Sequence, residues 1–376
     1  MLKINKYSLI KNAAVLGVAS LSLSLIATSS SFSDGHIYGE NNPVTVKGYK
    51  GSKTDSTAYT GQMARQLQHN SLKKIVSKGK PSDPTSNTLN KMLNYFENKD
   101  KTKSMAILDP KSSSKFPVKQ KMVGEISTGS NLAGKADGRV QLSWPNNMTG
   151  ADVIRFMIKK ASKISGGVDV RNGMNYPQLI SKYTMGAVLY HQACDNYLDE
   201  KMTASNKPND KPYKKGAYYT GKEHSWDEAF GYWGAAAHTM TLSAQQSYDV
   251  AKKKDLKAAD FNKDGVVDLY KEMTYGHAYY ASAFDRGGKT DYLKTVTKAF
   301  IDGRKIITNA DGEKLSSSDL TKVQDLAQVI CSNWAQVIAE AVHKYAGSVY
   351  KDLGAVEKAI SSGSGMDKAM SKYLKH

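Results

Sequence analysis

Cysteine is scarce in this sequence, with only Cys194 and Cys331 among 376 residues. Two cysteines are too few for a disulfide-rich scaffold, and neither lies in a CxxC motif or a metal-ligand cluster. The pair could form one disulfide in an oxidising compartment, or be two buried thiols. A disulfide would require the two helices that carry them to pack with Cα atoms within about 7 Å.

Arginine is also scarce, with six of the 53 basic residues, although the formal net charge is +18. Nucleic-acid-binding proteins rely on arginine for bidentate contacts, and no zinc-finger, RNA-recognition or helix-turn-helix motif is present. We therefore predict no nucleic-acid partner. The lysines are typical of a solvated surface, and adhesion to an anionic lipid or polysaccharide is the alternative.

Long apolar runs are absent beyond the N-terminal region, which predicts no membrane span in the mature protein. At the N-terminus, Lys3, Lys6 and Lys11 form a basic region that precedes an apolar stretch of about 15 residues at 13–27, and small residues follow that stretch. This order predicts a signal peptide over 1–33, cleaved before Asp34, with a retained anchor as the alternative. Cleavage would remove three lysines and no acid, so that +18 becomes +15, and would place the protein in the periplasm or outside the cell.

Several catalytic motifs are missing, since the sequence has no HExxH, GxSxG, Walker or dinucleotide-binding pattern. An enzyme is therefore not the first expectation.

Helical periodicity dominates what is present, and it predicts an all-α array or bundle of about eight amphipathic helices. An extended lead-in is expected over 34–58 and a single helical domain over 59–376. An irregular segment over 100–147 would contain one short strand at 140–143. The first predicted helix begins near residue 60. The others cover 89–96, 153–164, 177–194, 226–248, 269–284, 292–308, 320–350 and 355–373.

Two helix starts carry a capping box, in which a hydroxyl and a carboxylate each accept a hydrogen bond from an amide at the start of the helix. Thr149 with Asp152 predicts one such start, and Ser316 with Asp319 predicts the other.

The segment 260–272 has the pattern of an EF-hand calcium loop. Oxygen ligands at positions 1, 3 and 5, a glycine at 6, an apolar residue at 8 and an acid at 9 fit that loop. Position 12, where glutamate is expected, is Lys271, and Glu272 follows it. The predicted calcium ligands, which would converge between two helices, are Asp260, Asn262, Asp264, the Val266 carbonyl, Asp268 and Glu272. We predict a structural rather than a sensor site, and the alternative is an Asx-rich turn without calcium.

A second candidate site lies in the segment 223–234, where a histidine stands among carboxylates. His224, Asp227 and Glu228 could bind a transition metal of unknown identity or perform acid–base chemistry. The alternative is structural, because Ser225 and Glu228 have capping-box spacing and acids favour a helix N-terminus.

Six stretches together resemble an uncharacterised bacterial envelope family, the domain of unknown function 4856, over about residues 55–355. They are YTGQMARQLQ, YPQLISKYTMGAVLYHQ, EHSWDEAFGYWG, DFNKDGVVDLYKE, KAFIDGRKIITN and NWAQVIAEAVHKY. The resemblance implies that the glutamate just after loop position 12, here Glu272, belongs to the pattern. It implies no activity.

The segment around His224 is also remotely similar to imelysin-like proteins, helical envelope proteins tied to iron uptake. Their GxHxxE motif is only approximated, because Gly221 lies three residues before His224 and the acids fall at the third and fourth positions after it.

The sequence therefore predicts an exported, non-enzymatic helical protein with a structural calcium loop, serving as a binding protein in iron or nutrient uptake. Its partner would be an unknown ligand or envelope protein. The alternatives are a metal-dependent hydrolase that uses His224 and Glu228, and a surface or adhesion protein.

Overall fold

The computed structural model describes residues 37–81, 87–99 and 104–373, and most of these residues are helical. The predicted all-α fold is confirmed, and the described residues belong to one compact unit. None of the helices in these ranges combines the length and the apolar character that a membrane span needs. The predicted signal peptide lies outside the described residues and stays a prediction.

The helices are numbered here in chain order. They are α1 (Thr60–Val76), α2 (Asn87–Glu97), α3 (Gly150–Ser162), α4 (Tyr176–Thr184), α5 (Gly221–Trp233), α6 (Ala244–Ala251), α7 (Leu256–Ala259), α8 (Gly276–Asp285), α9 (Tyr292–Asn309), α10 (Ser317–Ser362) and α11 (Met366–Tyr373). A π-helical segment, Met185–Tyr197, continues α4, and single 3₁₀ turns join several of the other elements.

The strand predicted at 140–143 is wrong. Val140 makes a single bridge to Thr149, and Leu142 is 92% exposed, so no buried face holds a strand there. A short antiparallel hairpin forms elsewhere in the chain, between β1 (Val168–Asp169) and β2 (Met174–Asn175), and each of its strands has two residues.

Helix starts and ends follow local backbone chemistry. Both predicted N-caps are present: the Thr149 and Ser316 hydroxyls accept from the amides of Asp152 (3.4 Å) and Asp319 (3.0 Å). The predicted helix 226–248 is interrupted at Gly234, whose φ of +82° ends α5 in a left-handed C-cap. The two helices predicted over 320–350 and 355–373 are continuous up to Ser362, because the glycine at 354 costs only about 1 kcal/mol in a helix.

Helix α5 lies at the centre of the fold and is buried along nearly its whole length. It packs closely against α9 at Gly303, where an added Cβ would lie 2.1 Å from the Trp226 ring. The indole nitrogen of Trp226 donates to the Phe300 carbonyl at 2.8 Å. Because α5 touches neighbours on all sides, its polar side chains must find partners inside the protein.

One disulfide joins Cys194 in the π-helical segment to Cys331 in α10, with Cα atoms 5.7 Å apart. The predicted helix contact is confirmed. The bond connects two helices that are 137 residues apart in sequence.

Candidate functional site

The loop 260–272 leaves the short helix α7 and turns tightly through two left-handed residues. Lys263 has φ +62° and Gly265 has φ +87°. An added Cβ at Gly265 would meet no atom within 4 Å, so the backbone conformation rather than space favours glycine at this position.

The side-chain oxygens at the start of the loop accept hydrogen bonds from its own amides. Asp260 accepts from Asp264 N at 3.0 Å and from Gly265 N at 2.9 Å. Asn262 Oδ1 accepts from Asp264 N at 2.9 Å, and Asp264 Oδ1 accepts from Val266 N at 3.0 Å. These bonds wrap the chain around the three side chains, which is typical both of an Asx turn and of a calcium loop.

Glu272 closes the loop from its far end. One carboxylate oxygen accepts from the amides of Phe261 and Asn262 at 3.1 and 3.2 Å, and the other accepts from Asp268 N at 2.7 Å. Glu272 is 5% exposed, whereas Lys271 points to solvent. Burial raises the pKa of Glu272 above its ordinary value, and Asp268 and Asp260 add to the rise, as expected for clustered carboxylates.

Asp268 is held by the irregular segment, which sequence reasoning did not connect to the loop. The Gln120 amide donates to Asp268 Oδ1 at 2.8 Å, and its carbonyl accepts from Leu269 N at 2.9 Å. Val118 forms a parallel bridge with Val267 beside these bonds. The apolar spacing around Val118 does not predict this pairing, because the contact is an isolated bridge and not part of a strand.

The loop lies between α7 and α8, but the predicted start of the helix that follows it is wrong. The chain after Glu272 stays irregular, and α8 begins only at Gly276 rather than at the expected residue 269. The two groups that would bond each other in that helix are paired elsewhere, because the Lys271 carbonyl accepts from Ala237 N at 2.7 Å and the Tyr275 amide donates to the Gly234 carbonyl at 2.7 Å. Within the described ranges, no three His, Cys, Asp or Glu side chains form a group that could hold a metal ion. Convergence of the six ligands on one point therefore stays a prediction.

The second candidate site lies on α5, which begins earlier than expected. Thr220 is the N-cap, with its amide donating to Glu223 Oε2 at 2.8 Å and its hydroxyl accepting from Glu223 N at 3.2 Å. The predicted capping box of Ser225 and Glu228 is wrong, because both residues lie inside the helix.

Asp227 is directed away from His224 and into a buried ion pair. Arg304 Nε donates to Asp227 Oδ1 at 2.9 Å, and Arg304 Nη1 donates to Glu223 Oε1 at 3.2 Å. Tyr38 and the Ala58 amide also donate to Asp227, at 2.7 and 3.0 Å. Burial raises the pKa of Asp227 to about 6, although Arg304 opposes the rise.

The lead-in segment before α1 completes this cluster. Ser56 accepts from Arg304 Nη2 at 2.6 Å and donates to Glu223 Oε1 at 3.3 Å, and Thr45 donates to the same oxygen at 3.0 Å. The Tyr38 ring stacks on Phe230 with centroids 3.6 Å apart. The lead-in is therefore bonded to the core rather than separate from it.

His224 and Glu228 remain together on another face of α5. His224 Nε2 lies 3.7 Å from Glu228 Oε1, which also accepts from Gln62 Nε2 at 2.6 Å. Tyr219 stacks on the imidazole with centroids 4.2 Å apart, and burial lowers the pKa of His224 although Glu228 opposes this. Among the described residues, His224 Nδ1 and Glu228 Oε2 make no close hydrogen bond, although the Ala58 backbone lies near His224 and the Tyr197 hydroxyl lies near Glu228.

A surface cavity of about 230 Å³ shares no residue with either candidate site, and it is smaller than typical small-molecule pockets. Its walls include Met174, Leu179, Val349 and Tyr373.

Comparison with known proteins gives one family. No curated protein and no solved structure matches the chain. The family described as Domain of unknown function (DUF4856) matches residues 45–371. This range includes the lead-in from Thr45, the loop 260–272 and all of α5. The further similarity to imelysin-like proteins stays a prediction. This chain therefore belongs to the DUF4856 family.

Proposed function

We propose that this protein is an exported, non-enzymatic helical protein in which the loop 260–272 binds calcium as a structural staple. The observation that carries the proposal is the position of Glu272, whose buried carboxylate is bonded to both ends of the loop. A buried, ionised carboxylate near two others is unfavourable without a cation, and calcium prefers carboxylate and carbonyl oxygens.

The donor set fits calcium better than a transition metal. Asp260, Asp264, Asp268 and Glu272 offer hard carboxylate oxygens, and no histidine or thiol lies in the loop. A carboxylate has about four lone-pair sites, so that its hydrogen bonds to loop amides leave capacity for an ion. Calcium would neutralise the negative charge of these carboxylates and fix the irregular chain on either side of the loop. No catalytic role follows from such binding.

Export is supported by the disulfide, because such bonds persist in oxidising compartments. In an extracellular or periplasmic setting, a weak loop with a dissociation constant of about 10⁻⁴ to 10⁻³ M is still useful. The ligand in iron or nutrient uptake would then be bound by another part of the helical surface.

The calcium proposal is tested by thermal unfolding of protein that has been stripped with chelator. At about one hundred times the dissociation constant, calcium stabilises the native state by about 2.7 kcal/mol and raises the melting temperature by about 5 °C. We expect Asp264→Ala to abolish this rise.

Glu272→Gln and Lys271→Gln are the matched pair for the shifted twelfth position. Glu272→Gln should reduce the calcium response strongly, and Lys271→Gln should leave it intact, because Lys271 points to solvent. Equal responses of the two variants, or an unchanged melting temperature in stripped wild-type protein, would show that the loop is only an Asx turn.

A metal-dependent hydrolase is the second candidate function, and the closeness of His224 Nε2 to Glu228 Oε1, at 3.7 Å, favours it. Catalytic zinc sites use three protein ligands. Because Asp227 is bonded to Arg304, two of the three predicted ligands, His224 and Glu228, remain together. We expect zinc to change the melting temperatures of wild-type protein and His224→Asn by the same amount. A zinc-dependent rise that only the wild-type protein shows would favour the hydrolase.

A further inference from the structure

Lysines from three separate helical elements meet among tyrosines on a face distinct from both candidate sites. Lys73 lies on α1, Lys182 on α4, and Lys252 directly after α6. The tyrosines come from α8 and α10. The lysine–tyrosine cluster is defined as Lys73, Lys182, Lys252, Tyr279, Tyr280 and Tyr345.

Lys182 occupies the centre of the cluster. Its ammonium donates to the Tyr280 hydroxyl and lies 4.9 Å from the centroid of that ring and 5.3 Å from the centroid of the Tyr345 ring. The two tyrosine hydroxyls lie 2.9 Å apart and share a hydrogen bond. These contacts fix the ammonium and the two hydroxyls in one small region.

Lys252 brings a second ammonium from the solvent side. Its Nζ lies 4.7 Å from the centroid of the Tyr279 ring, and the residue is exposed. Arg286 adds positive charge beside it, with its guanidinium 3.6 Å from the Tyr248 centroid. The cluster is therefore both cationic and reachable from solvent.

The positive charge is not balanced by acids. The charged neighbours that act on Lys182 are Lys73 and Lys252, and no carboxylate is among them in the described chain. Asp109 acts on Lys73, but it also pairs with Lys253 at 2.5 Å. Burial, followed by repulsion from Lys73 and Lys252, lowers the pKa of Lys182 to about 7.

Two histidines face the buried side of Lys182. Burial lowers the pKa of His69 to about 4 and that of His277 to about 3, so both are neutral at pH 7. They therefore add no positive charge to the cluster and do not compete with the lysines for an anion.

We propose that the lysine–tyrosine cluster binds a multiply charged oxyanion of the phosphate or sulfate class. Lysine ammonium groups bind such anions as point charges, and tyrosine hydroxyls supply directed donors. The anion supplies the negative charge that the surrounding protein lacks and relieves the repulsion among the three lysines. No residue of the calcium loop takes part.

Sulfate is the best probe because it does not titrate near neutral pH. Without added calcium and at constant ionic strength, sulfate should raise the melting temperature of the wild-type protein above the value in chloride, and by more than it raises that of Lys252→Gln, because sulfate also stabilises folded proteins non-specifically. Calorimetry in buffers of different ionisation enthalpy should show net proton uptake when sulfate binds at pH 7, because the anion favours the protonated form of Lys182. Binding should weaken at pH 9, where the free amine predominates.

Lys182→Met and Lys252→Gln should each weaken sulfate binding at least tenfold, and the exposed Lys159→Gln on α3 is the control. Lys252→Gln also separates binding from folding, because that side chain is on the surface. Equal sulfate and chloride effects in wild-type protein, or equal sulfate affinity in all variants, would overturn the proposal.

The source of the anion is resolved with phosphatidylglycerol vesicles. Vesicle binding that sulfate and Lys252→Gln both abolish would identify a lipid phosphate as the ligand. A sulfate response without vesicle binding would identify a soluble anion.

Discussion

Replacing Arg304 with methionine lowers the free energy of unfolding by about 3–5 kcal/mol, because it leaves buried carboxylates without their cation. Arg304 is 1% exposed, and Glu223 and Asp227 are fully buried against it. Methionine fills much of the volume, so the loss reflects charge rather than a cavity. Urea unfolding of the wild-type protein and the variant measures the difference.

Lys305→Met on the same helix is the matched control. Lys305 is exposed, so its replacement should change the free energy of unfolding by less than about 0.5 kcal/mol. Equal losses for the two variants would contradict a special role for the buried pair.

The loss in Arg304→Met should also depend on pH. Arg304 holds down the pKa of Asp227, which burial has already raised to about 6, so the variant raises it further. An acid whose folded pKa exceeds its unfolded pKa destabilises the native state as pH rises through that range. The destabilisation should therefore be smaller at pH 5 than at pH 7, and a loss that does not change with pH would point to packing alone.

The same cluster shows where sequence reasoning ends. Capping boxes and helical periodicity depend on residues whose spacing is visible in the chain, and they predicted the helical fold and several of its boundaries. The pairing of Asp227 with Arg304 joins residues 77 apart, and nothing in either local pattern indicated it. Closeness in sequence predicts one site for Asp227 and His224, whereas the Asp227 carboxylate pairs with Arg304 in the folded protein.

In the loop 260–272, too, the sequence predicted one part of the structure and not the other. The oxygen-rich spacing and Gly265 predicted the tight turn, and Glu272 lies at its closure, while its role as a calcium ligand stays a prediction. The helix expected after the loop does not form there, because the Lys271 carbonyl and the Tyr275 amide bond to the segment that follows α5 instead of to each other. The Gln120 contact depends on a chain segment without regular periodicity, so it could not be predicted.

Removing the disulfide with the double substitution Cys194→Ala and Cys331→Ala should lower the free energy of unfolding by about 5 kcal/mol. The cross-link closes a loop of 137 residues in sequence, and a long loop loses the most chain entropy when it is closed in the unfolded state. Part of the loss would come from packing, because Cys194 is buried, and alanine removes its sulfur.

The dependence of unfolding on urea separates the two contributions. Without the cross-link the unfolded chain expands and exposes more surface, so the urea m-value of the double variant should exceed that of the oxidised wild-type protein. Reduced wild-type protein, which keeps both sulfurs, should show the same higher m-value and most of the stability loss. If reduction changed neither quantity, the helix contact between the π-helical segment and α10 would be maintained by packing, and the bond would contribute little to stability.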